Sequence, residues 1–171
     1  MKFLKKLFHD NVKINSQQTR NAENLVSLAK FTAITSQSSA FRLFPQLESA
    51  SKIRSWDFFC TVLATWSALL KIKTFVKDIK FANELQELVF IKLKEFHPSA
   101  VDAYDDFDNF LINHLKNQSQ SVINPEVVKT IAGLWIVWNL TEKQSIQDER
   151  AIVSVLGEVF FTGFAFYFEE K

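Results

Sequence analysis

An all-α fold, a single-domain bundle of about six helices with an aromatic-rich core, is predicted for this chain by three observations. Gly and Pro are scarce, three of each in 171 residues, which leaves little from which to build hairpins and tight turns that need positive φ. Apolar residues make up 47% of the chain and include eighteen Phe and four Trp, enough bulky material for a core and far from a disordered composition. These residues recur at helical spacing, and no interval alternates strictly enough for a half-buried strand. The length suits one domain, so residues 1–171 are read as a single helical domain, with 1–15 as an N-terminal segment that frays or docks.

The first long helix opens at Ser16 or Gln17 and carries Leu25, Val26, Ala29 and Ala33 on its apolar side. Ser, Gln and Asn make residues 36–50 a loop within the domain, packed down by Phe41, Leu43, Phe44 and Leu47, with a short helix near Pro45. Segments near 51–74 and 77–96 are the next two helices. From Arg54 onward, Asp57, Thr61, Ala64, Ala68 and Lys71 lie on one side and Phe59, Leu63, Trp66 and Leu70 on the other. His97-Pro98-Ser99 starts another helix, with Asp102 at the capping-box position, and it is expected to reach about Gln118 before a second loop over 117–124.

Asn124-Pro125-Glu126 is the clearest helix start: an N-cap Asn, a proline at the first helical position and an acid in the first turn. The helix holds Val127 through Leu140 and ends at Thr141-Glu142-Lys143-Gln144. Ser145 with Asp148 repeats the capping signature for a last helix running nearly to the C-terminus. Within it, Ala151–Phe168 is apolar except for Glu158, at the lower edge of a membrane-spanning length. At about 100° per residue, however, Gln147, Ala151, Ser154, Glu158, Thr162, Ala165 and Glu169 fall in one narrow arc. A small, polar stripe of this kind belongs to a core helix showing one edge to water or to a close neighbour, so no transmembrane segment is expected. This helix and the one from Arg54 are read as the centre of the bundle.

Several chemistries lack their residues. There is no Gly-x-Ser-x-Gly elbow, no phosphate-binding Gly-Lys-Ser/Thr loop, no dinucleotide fingerprint and no Cys-x-x-Cys. His9, His97 and His114 have no helical His or Glu-x-x-His partner, so carboxylate-bridged di-iron chemistry is excluded, and their spacing fits no usual zinc set. No metal site and no cofactor are assigned. Cys60, the one cysteine, stands among Trp56, Phe59 and Leu63 and reads as a buried thiol rather than a nucleophile. A lone thiol and the absence of a signal-peptide h-region after residue 8 point to the cytoplasm.

Charge is the most informative feature. The total is +1, but residues 1–96 carry +7 and residues 97–171 carry −6. Attraction between two halves of one bundle is the simpler account, and a surface that steers a charged partner is the other. The acidic half has its density in residues 102–108, where Asp102, Asp105 and Asp106 share a helix face with Asn109, Asn113 and Lys116. Asp108 projects instead toward Val101, Tyr104, Leu111 and Leu115, where a carboxylate needs a partner such as a lysine of the basic half. The basic half has Lys71, Lys73, Lys77 and Lys80 around a helix–helix turn, and Lys92 and Lys94 beyond it. Nucleic acid is not expected, because Glu84, Glu87 and Glu95 interrupt the run and the chain has only four Arg. Lys2, Lys5 and Lys6 alternate with Phe3, Leu4, Leu7 and Phe8, so residues 2–8 can touch a membrane surface or a partner.

These readings favour a non-enzymatic protein that binds another protein, such as a small cytoplasmic inhibitor, adaptor or immunity-type protein. Its contact residues would be Asp102, Asp105, Asp106, Asp108, Lys71, Lys73, Lys77 and Lys80. One alternative is a bundle that binds a small apolar ligand in a cavity lined by Trp135 and Trp138. The other is a divalent-metal-dependent enzyme using the acidic helix 102–108.

Overall fold

Every residue from Phe59 to Leu69 is buried in the computed structural model, which describes residues 16–51, 55–75, 77–116 and 124–163. These residues belong to α3 (Trp56–Phe75), and a helix enclosed on all sides becomes the axis around which the rest must pack. Around it stand α1 (Ser16–Leu43), α4 (Ile79–Phe96), α5 (Ala100–Leu115), α6 (Pro125–Thr141) and a π-helical segment, Glu158–Gly163. Short α2 (Pro45–Ser51) joins α1 to α6, and α7 (Glu149–Gly157) lies along α6 before widening into the π segment. No strand occurs among the described residues, and the all-α bundle is the fold.

The Thr61, Ala64 and Ala68 side of α3 is buried, so its small residues meet neighbouring helices rather than water. Leu70, placed by sequence on the core side, is instead 38% exposed. Small residues on α1 answer the same need: Ala22, Ala29, Ala33 and Ala40 lie within about 20° of one line at helical pitch and are all buried. Alanine there lets the chain come close enough for the Trp56 indole N–H to donate to the Ala33 carbonyl at 2.9 Å.

Residues 36–43, expected in a loop, continue α1. Their hydroxyl-bearing neighbours turn inward on the helix rather than competing with it: Thr32 donates to Leu28 O, Thr35 to Phe31 O and Ser36 to Ala33 O. The helical cost of such residues is only a few tenths of a kcal/mol each, and burial of Ala40 with the edge-on contact of Phe41 to Trp56 outweighs it. Pro45 ends α1, since the residue before a proline disfavours helical backbone, and the short helix expected near it is α2.

At α6 the Asn124 side chain accepts from Glu126 N at 2.9 Å with Pro125 at the first position, as the sequence requires. Glu142 and Lys143, both at positive φ, end the helix. The other two cap assignments are corrected. Ser99 makes no side-chain cap bond; His97 Nδ1 accepts from Ser99 N at 3.2 Å in its place. Asp148, not Ser145, is the N-cap of α7, at φ 58° and without a side-chain bond to the helix. The edge of α7 does match its predicted stripe, because Ala151, Ser154 and Glu158 are exposed and Thr162 is half-buried. Ala165, Glu169, residues 1–15 and the loop residues 117–123 lie outside the described residues.

Where α6 crosses α7 the backbones touch. A Cβ on Gly133 would stand 1.9 Å from Val153 O, and one on Gly157 2.2 Å from Lys129 O. Lys129 Nζ then ties α6 to the π segment through Glu158 Oε2 at 2.9 Å. No described helix is long and apolar enough to cross a membrane.

Side-chain pairings give the helix directions. Gln18 meets Glu84 and Lys30 meets the Phe96 ring, so α1 and α4 run the same way. Phe58 contacts both Phe96 and His97, and Trp66 contacts Phe107, so α3 runs against α4 and alongside α5.

Candidate partner-binding face

Helix α5 is amphipathic. Ala100, Tyr104, Phe107 and Leu111 are buried, whereas Asp102, Asp105, Asp106, Asp108 and Asn109 are exposed. Asp108 finds its partner on α3: Oδ1 accepts the indole N–H of Trp66 at 3.1 Å. The lysine expected for it is therefore replaced by a tryptophan. Asp106, assigned to the solvated face, stays exposed, but its Oδ2 accepts the indole N–H of Trp135 at 2.8 Å. Sequence reasoning missed this bond. The available signal was the donor: a core indole N–H needs an acceptor, and the apolar α6 offers none nearby.

Between the two acids, Phe107 meets both indoles, edge-on to Trp66 at 4.7 Å and steeply inclined to Trp135 at 5.2 Å. The stretch Asp106-Phe107-Asp108 is thus fastened to α3 and α6 by two charge-assisted hydrogen bonds and a buried ring. Burial first, then the charges of Asp108 and Asp105, push the Tyr104 phenol well above its ordinary pKa of 10.0. No ion pair to Asp102, Asp105, Asp106 or Asp108 forms among the described residues. The pairs Lys80–Glu84, Lys92–Glu95, Lys129–Glu126 and Lys129–Glu158 each stay within their own half of the chain.

Lys73, Lys77 and Lys80 are exposed and Lys71 is half-buried, all around the α3–α4 turn. The structure does not gather them with the α5 acids into one site: the acids form a lateral face, the lysines an end of the bundle. Trp135 is 1% exposed, with Phe59 at 5.6 Å and Phe107 at 5.2 Å on its ring. Trp138 is half-buried against Phe110 and His114, with Lys143 Nζ 6.0 Å from its ring. An open cleft of about 260 Å³ lies elsewhere, lined by Gln46, Ser49, Leu140, Thr141, Glu142, Gln144 and Ile146.

Cys60 is buried, and desolvation, followed by the charge of Asp57, raises its thiol pKa well above the usual value. His114 Nδ1 is 2.8 Å from Phe110 O, which makes it a helix-end residue. Among the described residues no group of three or more His, Cys, Asp or Glu is arranged to hold a metal ion. Comparison of the chain with protein-family models, with curated proteins and with solved structures finds no match. Fold and face together define an aromatic-cored helical bundle that carries four exposed carboxylates on one helix.

Proposed function

We propose that this chain is a non-enzymatic protein-interaction protein of the inhibitor, adaptor or immunity type, working in the cytoplasm, whose acidic helix α5 meets a basic surface on another protein. One observation carries this reading: Asp106 and Asp108 are exposed yet held in place by Trp135 and Trp66. Ordering a side chain at an interface ordinarily costs about 0.5–1.5 kcal/mol, and two carboxylates already tethered escape much of that cost. Their charges, with those of Asp102 and Asp105, also create a one-signed field of the kind that accelerates encounter with a basic partner.

The test is affinity capture from the native host with the wild-type chain and with Asp102→Lys/Asp105→Lys, two exposed positions that make no core contact. A stoichiometric basic protein is expected on the wild type and not on the variant, with affinity falling as salt rises. Failure to retrieve any stoichiometric partner, or equal retrieval by the variant, overturns the reading.

A further inference from the structure

We propose a second surface: the end of the bundle made by the α3–α4 turn docks on an anionic lipid membrane surface. Two kinds of side chain meet there that a solvated end would not combine. Lys73, Lys77 and Lys80 are exposed, and Ile79 and Leu70 between them are 74% and 38% exposed. No other exposed large hydrophobic of the described residues stands as far into solvent as Ile79. The acid within the turn, Asp78, is occupied as the N-cap of α4, accepting from Phe81 N. The end therefore presents cations around aliphatic tips, the chemistry of the headgroup layer, where phosphates meet the lysines and acyl chains receive the isoleucine.

Helix direction adds a second element. Because α1 runs parallel to α4 with Gln18 level with Glu84, α1 begins at this same end. The residues that precede Ser16 in the sequence include Lys2, Lys5, Lys6 and Lys13 with Phe3, Leu4, Leu7 and Phe8. A single weak membrane signal gives marginal, reversible attachment, whereas two signals acting together give stable attachment. Only the fold shows that the two basic, aliphatic stretches, distant in sequence, adjoin one end. A nucleic-acid backbone would use the lysines but has no place for Ile79 and Leu70, so lipid is the better fit.

Co-sedimentation with vesicles tests this. The full chain should bind vesicles of phosphatidylserine in phosphatidylcholine, should not bind phosphatidylcholine alone, and should be released by high salt. Lys73→Glu should weaken binding about tenfold, and Ile79→Ser severalfold. Lys94→Glu makes the same change in net charge at the far end of α4 and should bind as the wild type does. Each variant is checked for an unchanged thermal transition. The proposal is overturned if the wild type ignores anionic vesicles at low salt, or if Lys94→Glu loses as much binding as Lys73→Glu. It is overturned equally if the chain binds a duplex RNA, unaffected by Ile79→Ser, while ignoring vesicles. None of these outcomes depends on the α5 face, which Asp102→Lys/Asp105→Lys probes separately.

Discussion

Asp108 Oδ1 accepts the indole N–H of Trp66 at 3.1 Å, joining an acid exposed on α5 to a ring almost wholly enclosed on α3. Removing the acid strands the donor. Asp108→Ala should therefore lower stability by about 1–3 kcal/mol, whereas Asp108→Asn, which keeps an acceptor oxygen, should lose less than half of that. Urea unfolding followed by tryptophan fluorescence measures both. Equal losses for the two variants would show that charge, not hydrogen bonding, holds Trp66.

Gly133 is a second point of strict constraint. Alanine there gains about 1 kcal/mol of helix propensity, yet its Cβ would stand 1.9 Å from Val153 O, a backbone atom that cannot rotate away. Gly133→Ala should cost about 3 kcal/mol or more, because α6 and α7 must separate to admit it. A variant at least as stable as wild type would refute the contact.

Tyr104 makes stability depend on alkaline pH. Its phenol pKa is raised in the folded state by burial and by Asp108 and Asp105, above the ordinary value of 10.0. The group's contribution is complete below the unfolded pKa and declines as pH rises past it, since the unfolded chain then releases a proton that the folded chain keeps. Urea midpoints between about pH 9 and about pH 11 should fall more steeply for wild type than for Tyr104→Phe, whose residue has nothing to ionise. Identical slopes would remove Tyr104 as the cause.

Thr61 and Thr65, one turn apart inside α3, have fully buried hydroxyls without a hydrogen-bond partner. Valine keeps the shape and removes the unmet polar group. Thr61→Val and Thr65→Val should each raise stability by roughly 1 kcal/mol, read as an increase in melting temperature. A loss in either would mean that the hydroxyl makes a bond in solution.

The elements most legible in the sequence were those whose causes are local. Asn124-Pro125-Glu126 starts α6 because a cap, a fixed φ and a first-turn acid act over three adjacent residues. The exposed edge of α7 follows from spacing alone, and so does the shared face of Asp102, Asp105 and Asp106. Residues 36–43 misread as loop because their composition is polar, while the contacts that keep them helical, Phe41 on Trp56 and the burial of Ala40, come from another helix.

The tertiary structure alone decided which acids are held. Spacing singled out Asp108 as needing a partner but could not supply Trp66, 42 residues away, and it gave no hint that exposed Asp106 meets Trp135. Nor could it place the start of α1 beside the α3–α4 turn. The physical reason is the same for both. Helical periodicity states which side of its own helix a residue occupies, but the neighbour on that side is set by how helices cross, through small residues such as Ala33 and Gly133 that permit close approach.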